Sequence, residues 1–71
     1  MNFDYKLLKQ RIIEKFAKNY NFADKMGLTT KTLSFKLNNK AEWKQAEIFK
    51  AVHLLEIEPE EIDIYFFQVE R

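Results

Sequence analysis

The sequence predicts an all-α domain of five short helices, and three observations carry that expectation. Apolar residues recur at helical spacing along most of the chain, structure breakers are almost absent, and cap-forming residues fall between the apolar runs. One glycine (Gly27) and one proline (Pro59) leave little material for hairpins or long loops. No internal repeat, low-complexity stretch or linker interrupts the pattern, so residues 1–71 read as a single domain.

Each element has its own reason. Leu8, Ile12 and Phe16 recur at i, i+4 and i+8 among polar neighbours such as Lys9, Arg11 and Lys15, which gives an amphipathic first helix from about Asp4 to Phe16. Phe22, Ala23 and Met26 make a short second helix that stops at Gly27, a residue free to take a left-handed cap. Leu28 turns into the core, and the Thr29 hydroxyl is placed to cap a third helix. Leu33 and Leu37 mark its buried edge, and it ends near Asn38-Asn39, where asparagine tolerates the left-handed region. Ile48, Ala51, Val52 and Leu55 form the stripe of a fourth helix, roughly Gln45 to Leu55. Glu58-Pro59-Glu60-Glu61 is a helix start, with proline at the first position and acids at the positive end of the dipole, so a fifth helix runs from Pro59 to about Tyr65. The expected core is Leu8, Ile12, Ala23, Leu28, Leu33, Leu37, Ile48 and Leu55.

Composition narrows the function. There is no cysteine, which removes disulfides and thiolate metal sites, and the single histidine, His53, cannot build a metal cluster alone. Glu58, Glu60, Glu61 and Asp63 are accounted for by the helix start rather than by a metal. No glycine-rich phosphate loop is present, and so short a chain has little means of shaping a pocket, so neither a cofactor nor an enzymatic activity is expected. No apolar run is long enough for a membrane span and the N-terminus lacks a signal-peptide pattern, so the expected location is the cytoplasm. Net charge is only +1, but it is unevenly distributed: residues 1–50 hold eleven Lys/Arg against five Asp/Glu, and residues 51–71 hold one Arg against six acids. A polyanion is attracted to the first part and repelled by the second.

The run Phe22-Ala23-Asp24-Lys25-Met26-Gly27-Leu28-Thr29 resembles the helix-turn-helix of lambda-repressor-like (Cro/repressor) domains, and Leu33-Ser34-x-x-Leu37-Asn38 matches the end of their recognition helix. The spacing has a physical basis: two helices cross so closely that a small residue is needed at Ala23, and the tight turn needs Gly27. The resemblance spans about residues 4–64. The ending Glu61-Ile62-x-x-Tyr65-Phe66-Phe67 is most similar to small Cro-like regulators of Gram-positive phages. It implies a compact five-helix fold and a transcriptional regulator that binds double-stranded operator DNA through its third helix, as a dimer on a pseudo-palindrome. Two positions depart from the family: Asn19 stands where a phosphate-contacting glutamine is usual and has a shorter reach, and Lys18 replaces a capping Ser/Thr.

An angular reading of the third helix adds detail. With Leu33 and Leu37 centring the buried face, Phe35 lies opposite it, and Thr30 and Lys31 face outward one turn earlier, with Thr32 on a flank. In a major groove Phe35 packs on a thymine methyl and Lys31 reaches a guanine edge or a phosphate. Thr29, Thr30 and Thr32 offer hydroxyls to base edges or phosphate. The alternative for Phe35 is that it covers an edge of the core. Lys36, Asn38, Lys40 and Lys44 flank the helix as phosphate clamps that position without reading sequence, against the alternative of an ordinary solvated face. Trp43 is expected to pack on the fourth helix and His53 to lie at the surface.

A second reading makes the same fold a modulator or antirepressor that binds a companion repressor protein rather than DNA alone. The near-zero net charge and the substituted Asn19 keep this alternative open beside the first. The tail bears on both readings. Tyr65, Phe66, Phe67 and Val69 place four large apolar groups within five residues, as strand, helix end or interface. Some fold back toward Phe3 and Leu7, and the rest form a patch for a homodimer or for the companion repressor.

Overall fold

The computed structural model describes residues 2–70 and places five helices in the expected order: α1 Lys6–Phe16, α2 Asn19–Met26, α3 Thr30–Leu37, α4 Gln45–Leu54 and α5 Ile62–Phe66. Residues 1 and 71, the ends of the expected domain and tail, lie outside the described residues. Among the described residues no sheet forms, and the one β-bridge pairs Phe3 with Val69. The all-α class expected from the apolar spacing is the class observed.

Helix boundaries follow from specific residues. Asp4 Oδ1 accepts the Lys6 N–H at 2.9 Å and starts α1. The helix ends at Ala17, whose φ of 67° and ψ of −38°, with the Lys18 N–H donating to the Phe16 carbonyl at 2.8 Å, form a γ-turn that an L-residue adopts at a cost. α2 closes on Gly27 in the left-handed conformation, φ 75° and ψ 25°. The Thr29 hydroxyl caps α3 by accepting the Thr32 N–H at 3.1 Å. Asn39, at φ 62°, reverses the chain after α3. α4 gains a partial capping box, with Glu47 Oε1 accepting the Lys44 N–H at 2.9 Å. Pro59 opens a 3-10 turn through Glu61, rather than the first turn of an α-helix, and this turn runs into α5.

The core contains Leu8 and Ile12 from α1, Phe22, Ala23 and Met26 from α2, and Leu33 and Leu37 from α3. Ala51, Leu55 and Ile57 reach it from α4 and the turn that follows, and Tyr5 and Phe66 close it at the chain ends. Burial raises the Tyr5 phenol above its ordinary value, because the charged form is poorly solvated there. Two expected core members, Leu28 and Ile48, are only half-buried and pack against the core from outside it. Trp43 sits edge-on to Phe66, 5.2 Å between ring centroids, and also meets Tyr5. The ring contacts that hold it therefore run to α5 and the N-terminal segment. Arg11 ties α1 to the end of α4, with Nε donating to the Leu55 carbonyl at 2.9 Å and Nη2 to the Glu56 carbonyl at 3.0 Å. A cation there satisfies carbonyls left free at a helix C-terminus.

Candidate functional site

The Gly27 turn sets α3 against α2, with Ala23 and Leu33 almost wholly buried between them. Burying Leu33 and Leu37 turns the opposite side of α3 outward, as the angular reading requires. Thr30, Lys31, Ser34 and Phe35 are exposed there. Phe35 keeps 40% of its surface in solvent, and the Lys31 ammonium lies 5.7 Å from its ring centroid. This is a cation–π pair on an outward face. Lys40 and Lys44 are exposed beyond the helix, and Asn19 is exposed at the start of α2. The N-terminus of α2 has no side-chain cap, since Lys18 carries no acceptor.

Four of the expected contact residues are already engaged within the fold. Lys36 is the clearest correction. It is 5% exposed, and its Nζ pairs with Glu47 Oε1 at 2.8 Å and donates to the Glu42 carbonyl at 2.8 Å. At i+3 from Leu33 its side chain lies on the buried flank and cannot serve as a phosphate clamp. Burial alone would push the Glu47 carboxyl up. The hydrogen bond from Lys36, the Lys44 amide and the charges of both lysines outweigh that and hold it below the usual glutamate range. Thr29 and Thr32 share a hydroxyl hydrogen bond at 2.9 Å. The Asn38 amide donates back to the Ser34 carbonyl at 2.8 Å. The outward face of α3 is thus a small aromatic–cationic patch of Thr30, Lys31 and Phe35, flanked by Lys40 and Lys44.

The tail divides. Phe66 is 1% exposed and belongs to the core, and Tyr65 is half-buried against it. The expected interface role is corrected for Phe66, because α5 turns its ring inward onto Trp43. Phe67 and Val69 are exposed by about half, Phe67 lying edge-on to Phe3 at 6.1 Å between centroids.

Three residues that matter to these faces were not singled out from sequence. Glu47 neutralises Lys36. Asn39 holds the N-terminal segment, its Oδ1 accepting the Phe3 N–H at 2.8 Å and its Nδ2 donating to the Phe3 carbonyl at 2.8 Å. Phe49 stands 68% exposed on α4 beside His53, whose exposed ring lies 4.4 Å from it between centroids. Of these contacts the sequence signals only the bond of Glu47 to the Lys44 N–H, through an acid three residues after the cap position of α4. Among the described residues no cluster of three or more His, Asp or Glu side chains is placed to hold a metal ion, and no helix is long and apolar enough to cross a membrane.

Residues 1–69 match a protein family described as "Protein of unknown function (DUF739)". No curated protein matches the chain. Among solved structures, the chain is similar to the modulator of repression of the temperate bacteriophage TP901-1 from Lactococcus lactis, determined in solution. The two are 50% identical with a TM-score of 0.81, and the match covers 99% of this chain and 97% of that one.

Proposed function

The chain belongs to the DUF739 family, and from its whole-length likeness to a phage modulator of repression we propose that it regulates phage transcription by binding a companion repressor protein. That likeness is the observation that carries the reading. The site chemistry supports it. Of the four lysines on and beside α3, Lys31, Lys40 and Lys44 stay exposed while Lys36 is taken up by Glu47 and the Glu42 carbonyl, which narrows the face a phosphate could use. The remaining outward patch of Phe35 and Lys31 is small, half apolar and suited to a protein surface. The reading makes the chain a regulatory binding protein of the host cytoplasm, with no chemistry of its own.

A second reading, operator DNA binding by a lambda-repressor-like helix-turn-helix, is favoured by one specific arrangement. The uncapped start of α2 and the outward Lys31–Phe35 pair lie on consecutive helices joined at Gly27, the elements such domains present to a phosphate and a base edge. A gel shift on the intergenic DNA beside the gene separates the two. For a modulator, the companion repressor shifts the fragment alone and this chain changes or removes that shift, while this chain alone gives only weak, steeply salt-sensitive retardation. Tight, sequence-selective retardation by this chain alone supports the second reading instead.

A further inference from the structure

The two chain ends lie antiparallel, with the Asp4 N–H donating to the Gln68 carbonyl at 2.7 Å and the Glu70 N–H to the Asn2 carbonyl at 2.8 Å. These bonds flank Phe3 and Val69, so those two form a non-hydrogen-bonded pair. In such a pair each residue's own N–H and C=O point out of the ribbon, on opposite edges. On the Phe3 edge both groups are satisfied by one side chain, the Asn39 carboxamide, which stands in for a third strand. On the Val69 edge no group among the described residues accepts the N–H or donates to the carbonyl. Among the described residues, one edge of the ribbon is closed and the other is open.

The open edge adjoins a partly apolar hollow. Leu7 of α1, Ile64 of α5 and Val69 line an open concavity of about 700 Å³ together with Asp4, Lys6, Gln68 and Glu70. All three apolar side chains are substantially exposed. An unpaired main-chain edge beside exposed apolar side chains is the arrangement by which a sheet accepts an added strand. Charge selects the occupant. Residues 56–71 carry six acids against Arg71, and the hollow itself is lined by Asp4 and Glu70 against Lys6, so a second copy paired edge to edge would set two net-acidic surfaces together. An extended segment bearing Lys or Arg beside an apolar residue meets the opposite sign.

We propose that the Val69 edge captures an extended, basic segment of the partner protein by strand addition, exchanging two main-chain hydrogen bonds with Val69 and seating an apolar side chain between Leu7 and Ile64. The inference rests on the reading that the partner is a companion repressor, and adds how it is held. Amide hydrogen exchange on the unmodified protein tests it. The Val69 amide is expected to exchange freely in the isolated chain and to slow by at least roughly tenfold when saturated with the companion repressor, as a newly formed hydrogen bond requires. Val69→Pro removes an N–H that the ribbon does not use, a change tolerated at an open edge. It is expected to leave the melting transition in place and weaken repressor binding by roughly tenfold. If the repressor binds while Val69 stays unprotected and Val69→Pro binds normally, strand addition is overturned and the proposed function stands. If the repressor does not bind at all, both fall. If Val69 becomes protected in the isolated chain as concentration rises, with a doubling of mass, the occupant is a second copy and the proposal is overturned.

Discussion

Lys36 and Glu47 form an ion pair of 2.8 Å between α3 and α4, with the lysine side chain 6% and the glutamate side chain 18% exposed. A lysine on the helix expected to read DNA is thereby converted into a tie between two helices. Truncating it strands a largely desolvated carboxylate. Lys36→Ala is expected to lower the free energy of unfolding by about 2–3 kcal/mol, the low end for a broken buried pair because Glu47 retains some water. Chemical denaturation checks this, and an unchanged midpoint would show that the pair contributes nothing net.

The same pair predicts an acid response. The Glu47 carboxyl titrates lower in the folded state than its ordinary value of 4.5. Its contribution is therefore fully present above the unfolded value and is lost as pH falls through the depressed folded one. Melting temperatures taken from about pH 6 to about pH 3 are expected to fall less steeply in Glu47→Gln than in the wild type, from a lower starting point. Parallel curves would contradict the assignment.

The γ-turn at Ala17 places a Cβ where φ is 67°. Ala17→Gly relieves that conformation, partly offset by the looser unfolded chain, and is expected to raise stability by about 0.5–1 kcal/mol. A glycine that destabilises here would show that Ala17 makes a packing contact outweighing the backbone strain.

Adjacent phenylalanines in the tail should behave oppositely. Phe66→Ser removes a fully buried ring and is expected to cost about 3–5 kcal/mol, enough to unfold much of so small a domain. Phe67→Ser alters a ring that is half in solvent and is expected to cost about 1 kcal/mol or less. Equal losses in thermal melts would place both rings in the core.

This contrast shows how much was legible in the sequence. Helix order, the Gly27 stop, the Thr29 cap and the outward Phe35 follow from local spacing and backbone preference, so they were readable residue by residue. Phe66 and Phe67 were not separable, because which of two neighbouring rings turns inward depends on where Trp43 and Tyr5 wait for it. Lys36 was misplaced for a related reason. A long cationic side chain on the flank of a stripe points to solvent by default, and only the distant Glu47 and Glu42 draw it inward. Asn39 carried no signal beyond its tolerance of a left-handed turn, since its partner, Phe3, lies thirty-six positions away. Apolar contacts between helices, such as Ala23 against Leu33, followed from spacing, whereas polar contacts between elements did not.

The outward patch on α3 yields a prediction for either partner. Lys31→Ala and Phe35→Ala remove exposed groups and are expected to change melting by no more than about 0.5 kcal/mol in free energy. If α3 presents the binding face, each weakens the partner complex by roughly tenfold or more. Full binding by both variants, measured calorimetrically, would move the interface off α3.

The proposed function requires this chain to bind a protein partner in the absence of DNA. Its most direct test is sedimentation velocity on a mixture with the companion repressor, without DNA, in salt high enough to suppress phosphate contacts. A faster-moving species containing both chains is expected. Two independent boundaries in that mixture, together with co-migration of this chain alone with operator duplex at low salt, would contradict it.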